Sequence, residues 1–196
     1  LGPERTAVRA QILSHLGTCA LERGRPKEAR ARFAASAELA GEDGDEVGLA
    51  FAILGQASVA LHDEDLAEVG ELLGEARNHI ETQPAQSALR HALDGLAFRL
   101  EGQRSVAEGR LEMGVSELRL SRESFVLSGV GSPVEKAKTL RELASALFAT
   151  GRRDEAVLVL RDALRSLDAT AADSLRADVE AELQARSRDS WLLHAA

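Results

Sequence analysis

A phrase of two parts recurs four times along this chain of 196 residues. Its first part has two large residues three positions apart, followed directly by a small residue. Its second part has a small or branched residue four positions before a large one. The first parts are Leu13-x2-Leu16-Gly17, Phe51-x2-Leu54-Gly55, His91-x2-Asp94-Gly95 and Leu140-x2-Leu143-Ala144. The second parts are Ala29-x3-Phe33, Val69-x3-Leu73, Ala107-x3-Leu111 and Ala156-x3-Leu160.

This spacing is typical of two antiparallel helices that cross where a small residue lets their backbones approach. The predicted crossings lie at Gly17, Gly55, Gly95 and Ala144. The predicted helix pairs cover about residues 5–41, 45–81, 84–128 and 133–168, and a terminal helix covers 171–187. No alternating β-branched run favours a strand, so we predict an all-α fold in a single array.

Local signals predict where the helices of the third pair begin and end. Pro84 suits the first turn of a helix, because its missing N–H has no helical partner there. Gly102 predicts the turn within the pair, and Ser105-Val106-Ala107-Glu108 has the pattern of a capping box that opens the second helix. At the other end of the chain, the apolar cluster Trp191-Leu192-Leu193 predicts a contact that docks the terminus.

The phrases resemble the tetratricopeptide repeat (TPR) family over about residues 5–168. The first and fourth copies match it best, whereas His91 and Asp94 stand where the family has large apolar residues. Spacings of 38, 40 and 49 residues between the four small residues exceed the family's roughly 34. The resemblance implies a right-handed α-solenoid of about four helix pairs plus a C-terminal helix. It also implies a divergent type with longer repeats, as in the sensor or adaptor segments of large bacterial regulators.

Composition restricts the partners and the setting. The net charge of −8 argues against a nucleic-acid groove, which needs a cationic field to replace phosphate counterions. Cys19 is the single cysteine, so the chain forms no internal disulfide, and a reducing, cytoplasmic setting is favoured. No apolar run approaches the ~20 residues of a membrane helix.

Three local patterns favour structure over chemistry. His15 and Cys19 lie one helical turn apart, but a zinc site needs further ligands, so Cys19 is interpreted as a small buried residue. His62-Asp63-Glu64-Asp65 falls where a polar turn is expected. Gly129-x-Gly131-x4-Lys136 lacks the ending of a phosphate loop and is interpreted as a capping turn. We therefore expect no enzyme activity, cofactor or metal.

The resemblance implies a partner-binding groove on the first helices of the pairs. The residues expected to matter most for a partner are Leu89, Leu96, Arg99, Lys138, Arg141 and Phe148. Further residues expected along the same groove are Ser14, Glu22, Ala52 and Val59. The predicted partner is a protein or peptide segment, amphipathic with an acidic end. The alternative is that Leu89 and Leu96 do not line a binding groove but are buried inside a tightly wound superhelix. For the whole chain, the alternatives are a structural spacer or oligomerisation segment and, less favoured, a helical enzyme or cofactor-bearing domain.

Overall fold

The computed structural model describes residues 3–129, 132–167 and 173–194, and these contain nine α-helices and no strand. The helices are α1 (Pro3–Glu22), α2 (Pro26–Asp43), α3 (Glu46–His62), α4 (Leu66–Glu81), α5 (Ala88–Ala107), α6 (Leu111–Ser128), α7 (Pro133–Ala149), α8 (Arg153–Leu167) and α9 (Asp173–His194). The all-α prediction is confirmed for this part of the chain. The side chains of Trp191, Leu192 and Leu193 lie outside the described residues, so the predicted docking of the terminus stays a prediction.

In each of the four pairs, the turn between the two helices contains a residue with a left-handed backbone conformation. These residues are Gly24, Glu64, Gly109 and Gly151, with φ of 68°, 60°, 79° and 81°. Glycine adopts this conformation without the clash that a Cβ introduces, which leaves Glu64 as the strained exception among the described residues. The helices that follow begin at capping residues where the sequence provides them. Asp65 accepts a hydrogen bond from the Glu68 N–H at 3.0 Å, and Asp45 accepts one from the Gly48 N–H at 2.9 Å.

The third pair ends at Ser128 as predicted, but its predicted start, its turn and the start of its second helix are wrong. Helix α5 begins after Ser87, whose Oγ accepts a hydrogen bond from the Arg90 N–H at 3.1 Å, rather than at Pro84. It continues through Gly102 to Ala107, and the turn lies at Gly109. Gly102 does not end the helix because it serves a crossing: a Cβ there would lie 2.6 Å from Leu118 Cγ and 3.2 Å from the Gly114 carbonyl oxygen of α6.

When the four pairs are aligned on their left-handed turns, the equivalent residues of the second and third pairs differ from those predicted from the sequence. These turns lie 40, 45 and 42 residues apart, more evenly than the small residues of the original phrase. Counted from the turns, the equivalent crossing residues are Gly17, Ala57, Gly102 and Ala144, all buried. Four residues after the small residue of each second helix, the equivalent large residues are Phe33, Leu73, Leu118 and Leu160, also all buried.

A buried hydrogen bond recurs in this register. Ser36 Oγ in α2 donates to the Ala10 carbonyl oxygen of α1 at 2.7 Å, and Ser121 Oγ in α6 donates to the Gly95 carbonyl oxygen of α5 at 2.7 Å. Donor and acceptor are 26 positions apart in both pairs. The second and fourth pairs place alanine at the serine position and pack it fully. The first and third pairs are therefore built alike in detail, although their sequences differ.

Phe33 joins the first two pairs. Its ring lies 2.9 Å from where a Cβ on Gly17 of α1 would stand, and it contacts the corresponding position of Gly55 of α3 more closely still. Gly55 therefore makes room for α2 of the preceding pair, whereas the sequence phrase assigned it to the crossing with α4. One phenylalanine thus fills a space that two helices create by omitting side chains.

Three apolar clusters follow the chain. They centre on α1–α3, on α3–α5 and on α6–α9. Val106 of α5 packs against the third cluster, and Phe125 of α6 lies 2.9 Å from the Cβ position of Gly95 in α5. The third cluster also joins α6 to α7.

Candidate partner-binding surface

The odd-numbered helices carry the candidate site. We call the surface formed by Glu22 of α1, Leu96 and Arg99 of α5, and Glu135 and Lys138 of α7 the odd-helix face. Its middle is covered, because every residue of 46–61 in α3 and 90–106 in α5 is buried or half-buried. Ser14, Ala52 and Val59 do not line a groove there, since each is at most 2% exposed. Ser14 instead hydrogen-bonds Ser36 of α2, Oγ to Oγ at 2.8 Å.

A chain of ion pairs links three helices across this face. Lys138 Nζ of α7 donates to Glu22 Oε1 of α1 at 2.6 Å and to Glu135 Oε1 at 3.2 Å. Arg99 Nη1 of α5 donates to the other oxygen of Glu135, Oε2, at 2.5 Å. Glu22 and Lys138 are 116 positions apart in the chain. The pairs therefore bring the first and seventh helices to one place on the surface.

Burial and charge oppose each other in this chain of ion pairs. Burial acts to lower the pKa of Lys138, but the neighbouring carboxylates of Glu135 and Glu22 outweigh it and hold the pKa above its usual value. Burial acts to raise the pKa of Glu135, and Arg99 and Lys138 outweigh it in the opposite direction. Both groups are therefore charged at neutral pH.

Glu142 lies one turn after Lys138 in α7, in surroundings that do not fully satisfy its carboxylate. Its Oε2 is buried without a hydrogen-bond partner, as is Nε of Arg99. Burial raises the pKa of Glu142 to about 7; Arg99 acts to lower this pKa, and Glu135 to raise it. The side chain therefore titrates near neutral pH, and its charged form is costly in the folded state.

The six residues predicted to bind a partner lie in separate places in the structure. Arg99 and Lys138 meet at Glu135, as described above. Leu96 is partly buried against the α3–α5 cluster, whereas Leu89 is 54% exposed. Leu89 stands ten residues before Arg99, about 15 Å along the helix axis, so the exposed apolar position and the charges are separated.

Helix α9 engages the remaining two residues. Arg141 Nη1 donates to Asp178 Oδ2 at 3.4 Å, and Arg186 stacks over the ring of Phe148 with 4.4 Å between the guanidinium carbon and the ring centroid. Arg186 also donates to the Ala144 carbonyl oxygen at 3.3 Å. The C-terminal part of the predicted groove is therefore a contact between α7 and α9.

Sequence reasoning missed several features of this surface. It placed Glu22 on the groove side but gave it no partner. It overlooked Glu135, although the spacing of Glu135 and Lys138 fits an ion pair within one helical turn. Nothing in the local sequence around Glu22 could reveal a partner in α7, because that proximity depends on how four helix pairs stack.

Cys19 is exposed, contrary to its interpretation as a buried residue. It lies on a side of α1 where Val8, Ile12 and Leu16 are also exposed, at 56%, 52% and 46%. At the positions equivalent to Ile12 in the second and third pairs, Ala52 and Ala97 are fully buried. No group of three or more potential metal ligands occurs among the described residues.

No protein-family model matches this sequence, and a comparison with curated proteins finds no match either. Within the ranges that the structure describes, no helix has the length and apolar character required to cross a membrane.

Proposed function

We propose that this chain is a non-catalytic protein- or peptide-binding scaffold, built as a right-handed TPR-like solenoid. The equivalent buried positions of the four pairs support a repeat architecture, and the packing of each pair on the next supports a continuous array. Such arrays present extended surfaces, and their repeats need no chemistry of their own. We further propose that the scaffold is the sensor or adaptor segment of a larger bacterial regulator that acts in the cytoplasm.

The binding site of this proposal centres on Lys138, and its ligand is an amphipathic segment with an acidic end. The observation that carries it is the carboxylate of Glu22, which comes from a distant part of the chain and lies on the Lys138 ammonium at 2.6 Å. Lys138 and Glu22 retain side-chain exposures of 28% and 53%, so a carboxylate from outside can reach the same position. Leu89, exposed on the same helix as Arg99, offers an apolar contact for the rest of the segment.

A binding measurement tests this function. We expect a peptide that ends in two aspartates to bind the chain more tightly at low salt than the same peptide ending in two asparagine residues. The preference should shrink as salt is raised, because an accessible ion pair is screened. Equal binding of both peptides, or binding of neither, would contradict the proposed function.

A self-associating spacer is the second candidate, favoured by the exposed row of Val8, Ile12 and Leu16 on α1. This function predicts a sedimentation coefficient that rises with protein concentration, and Ile12→Asp should abolish the rise. A scaffold that acts as a monomer predicts a constant value for both proteins.

A further inference from the structure

We propose that Glu22 is an internal competitor: it occupies Lys138 in the free protein, and the acidic end of a ligand binds by displacing it and releasing α1 from α7. The inference rests on the proposed function and adds to it a mechanism of regulation. It assigns a role to Glu22 that differs from that of every other carboxylate in the ion-pair chain.

The connection between α1 and α7 depends on this pair. Among the described residues, the Lys138–Glu22 contact is the one hydrogen bond that joins the two helices. The apolar clusters do not join them either: α1 contributes to the first cluster and α7 to the third. Helix α1 is otherwise held by α2 and α3. Loss of the pair therefore removes a link between distant parts of the array while the packing of each pair remains.

Glu22 is also the carboxylate that is easiest to replace. Glu135 is more buried, with its side chain 25% exposed, and both its oxygens are engaged by Arg99 and Lys138. The Glu22 side chain is 53% exposed and makes its one described hydrogen bond with Lys138. An ion pair this accessible contributes little to stability, because water solvates both partners well when they separate. A ligand carboxylate therefore replaces an equivalent interaction, and its other contacts supply the net affinity.

Competition of this kind lowers the apparent affinity by the fraction of molecules in which Lys138 is already occupied. Neutralising Glu22 should remove the competitor and leave the ligand's partner intact. Its matched control is Glu28→Gln, which removes the same charge from a side chain of α2 that is 40% exposed and pairs with Arg25. A gain from Glu22→Gln but not from Glu28→Gln separates displacement from a general change in net charge.

The test uses the full chain and a helical amphipathic probe of about 15 residues, or four turns, that ends in two aspartates. Titration calorimetry at low salt should show about two- to fivefold tighter binding to Glu22→Gln than to wild type, because an accessible ion pair competes only weakly with the ligand. Glu28→Gln should bind as wild type does. If wild type prefers the acidic probe but Glu22→Gln binds it no more tightly, the competitor role is wrong and the proposed function stands. If no protein binds the probe, both fall.

A distance measurement tests the release of α1 without relying on the affinity of the probe. Cys19 in α1 is the natural site for one spin label, and Ala149→Cys at the exposed end of α7 provides the other. Glu22→Gln should broaden the distribution of distances between the two labels in the free protein, and a saturating acidic probe should broaden it in the protein with Glu22 intact. A narrow, unchanged distribution in both cases would overturn the proposal.

Discussion

The crossing between α5 and α6 and the ion-pair chain on the odd-helix face follow opposite principles. At the crossing, Gly102 and Gly114 bring two backbones together, and the Cβ position of Gly114 lies 3.0 Å from the Gly102 carbonyl oxygen. On the odd-helix face, Arg99, Lys138 and three carboxylates interact through their charged side chains. The crossing tolerates almost no change of volume, whereas an accessible ion pair places weaker demands on the shape of its partner. The first kind of contact defines the architecture, and the second is the place where we propose that a ligand binds.

The most damaging change should be one that forces the crossing apart. Gly102→Leu places a branched side chain against Leu118 and the backbone of α6, and we expect it to lower the free energy of unfolding by roughly 3 kcal/mol. Denaturation in urea, followed by circular dichroism, measures the effect. Gly74→Ala is the control, because its added Cβ meets nothing within 4 Å and alanine favours a helix. It should stabilise the protein slightly, and an equal loss in both variants would contradict the assigned crossing.

A smaller effect, of opposite sign, is expected on the odd-helix face. The folded pKa of Glu142, about 7, lies above its ordinary value of 4.5, so the folded state holds the proton more tightly than the unfolded state. Glu142 therefore contributes a cost that is absent below about pH 4.5 and complete once the pH has risen through 7. Glu142→Gln removes this titration and should stabilise the protein by only about 2 kcal/mol at pH 8, because solvent screens part of the charge of this half-buried side chain.

Urea denaturation at pH 5 and pH 8 checks the sign. The variant should match the wild type at pH 5 and exceed it at pH 8. A gain in stability that is the same at both pH values, or that is larger at pH 5, would show that the charged form of Glu142 does not destabilise the folded state.

The smallest of these effects concerns the repeated serine. Ser121→Ala removes the hydrogen bond to the Gly95 carbonyl oxygen, and we expect a loss of about 1 kcal/mol in the free energy of unfolding. Ser36→Ala should cost a similar amount, because its bond to Ala10 is equivalent. The loss should remain small, since alanine is already packed at this position in the other two pairs. A much larger loss at one site would mean that the two pairs are less alike than their geometry indicates.

The parts that could be predicted from the sequence are those encoded locally. The all-α fold follows from the helical spacing of large and small residues and from the lack of any strand pattern. The third pair was misplaced because Gly102 and Gly109 are both plausible turn residues, and only packing against Leu118 distinguishes them. Cys19 was judged by its residue type, although its exposure depends on which neighbour covers α1.

The candidate site was harder to predict for the same reason. Lys138 and Arg99 were recognised as positive residues near one face, but their partners were not. Glu135 is a local partner of Lys138, whereas Glu22 reaches it through the stacking of the whole array. Arg141 and Phe148 were assigned to an open groove because α9 was treated as a separate terminal helix. In the structure, Arg186 of α9 covers the ring of Phe148.

The proposed function requires that Lys138 receives the acidic end of a ligand. Calorimetric titration of the full chain with the probe ending in two aspartates tests it most directly, comparing wild type, Lys138→Gln and the matched control Lys27→Gln on the exposed side of α2. We expect Lys138→Gln to bind the probe about tenfold more weakly and to lose the preference over the asparagine-ended peptide, since the charge that orients the carboxylate is gone. Lys27→Gln should retain both. Equal weakening in the two variants, or an intact preference in Lys138→Gln, would contradict the account.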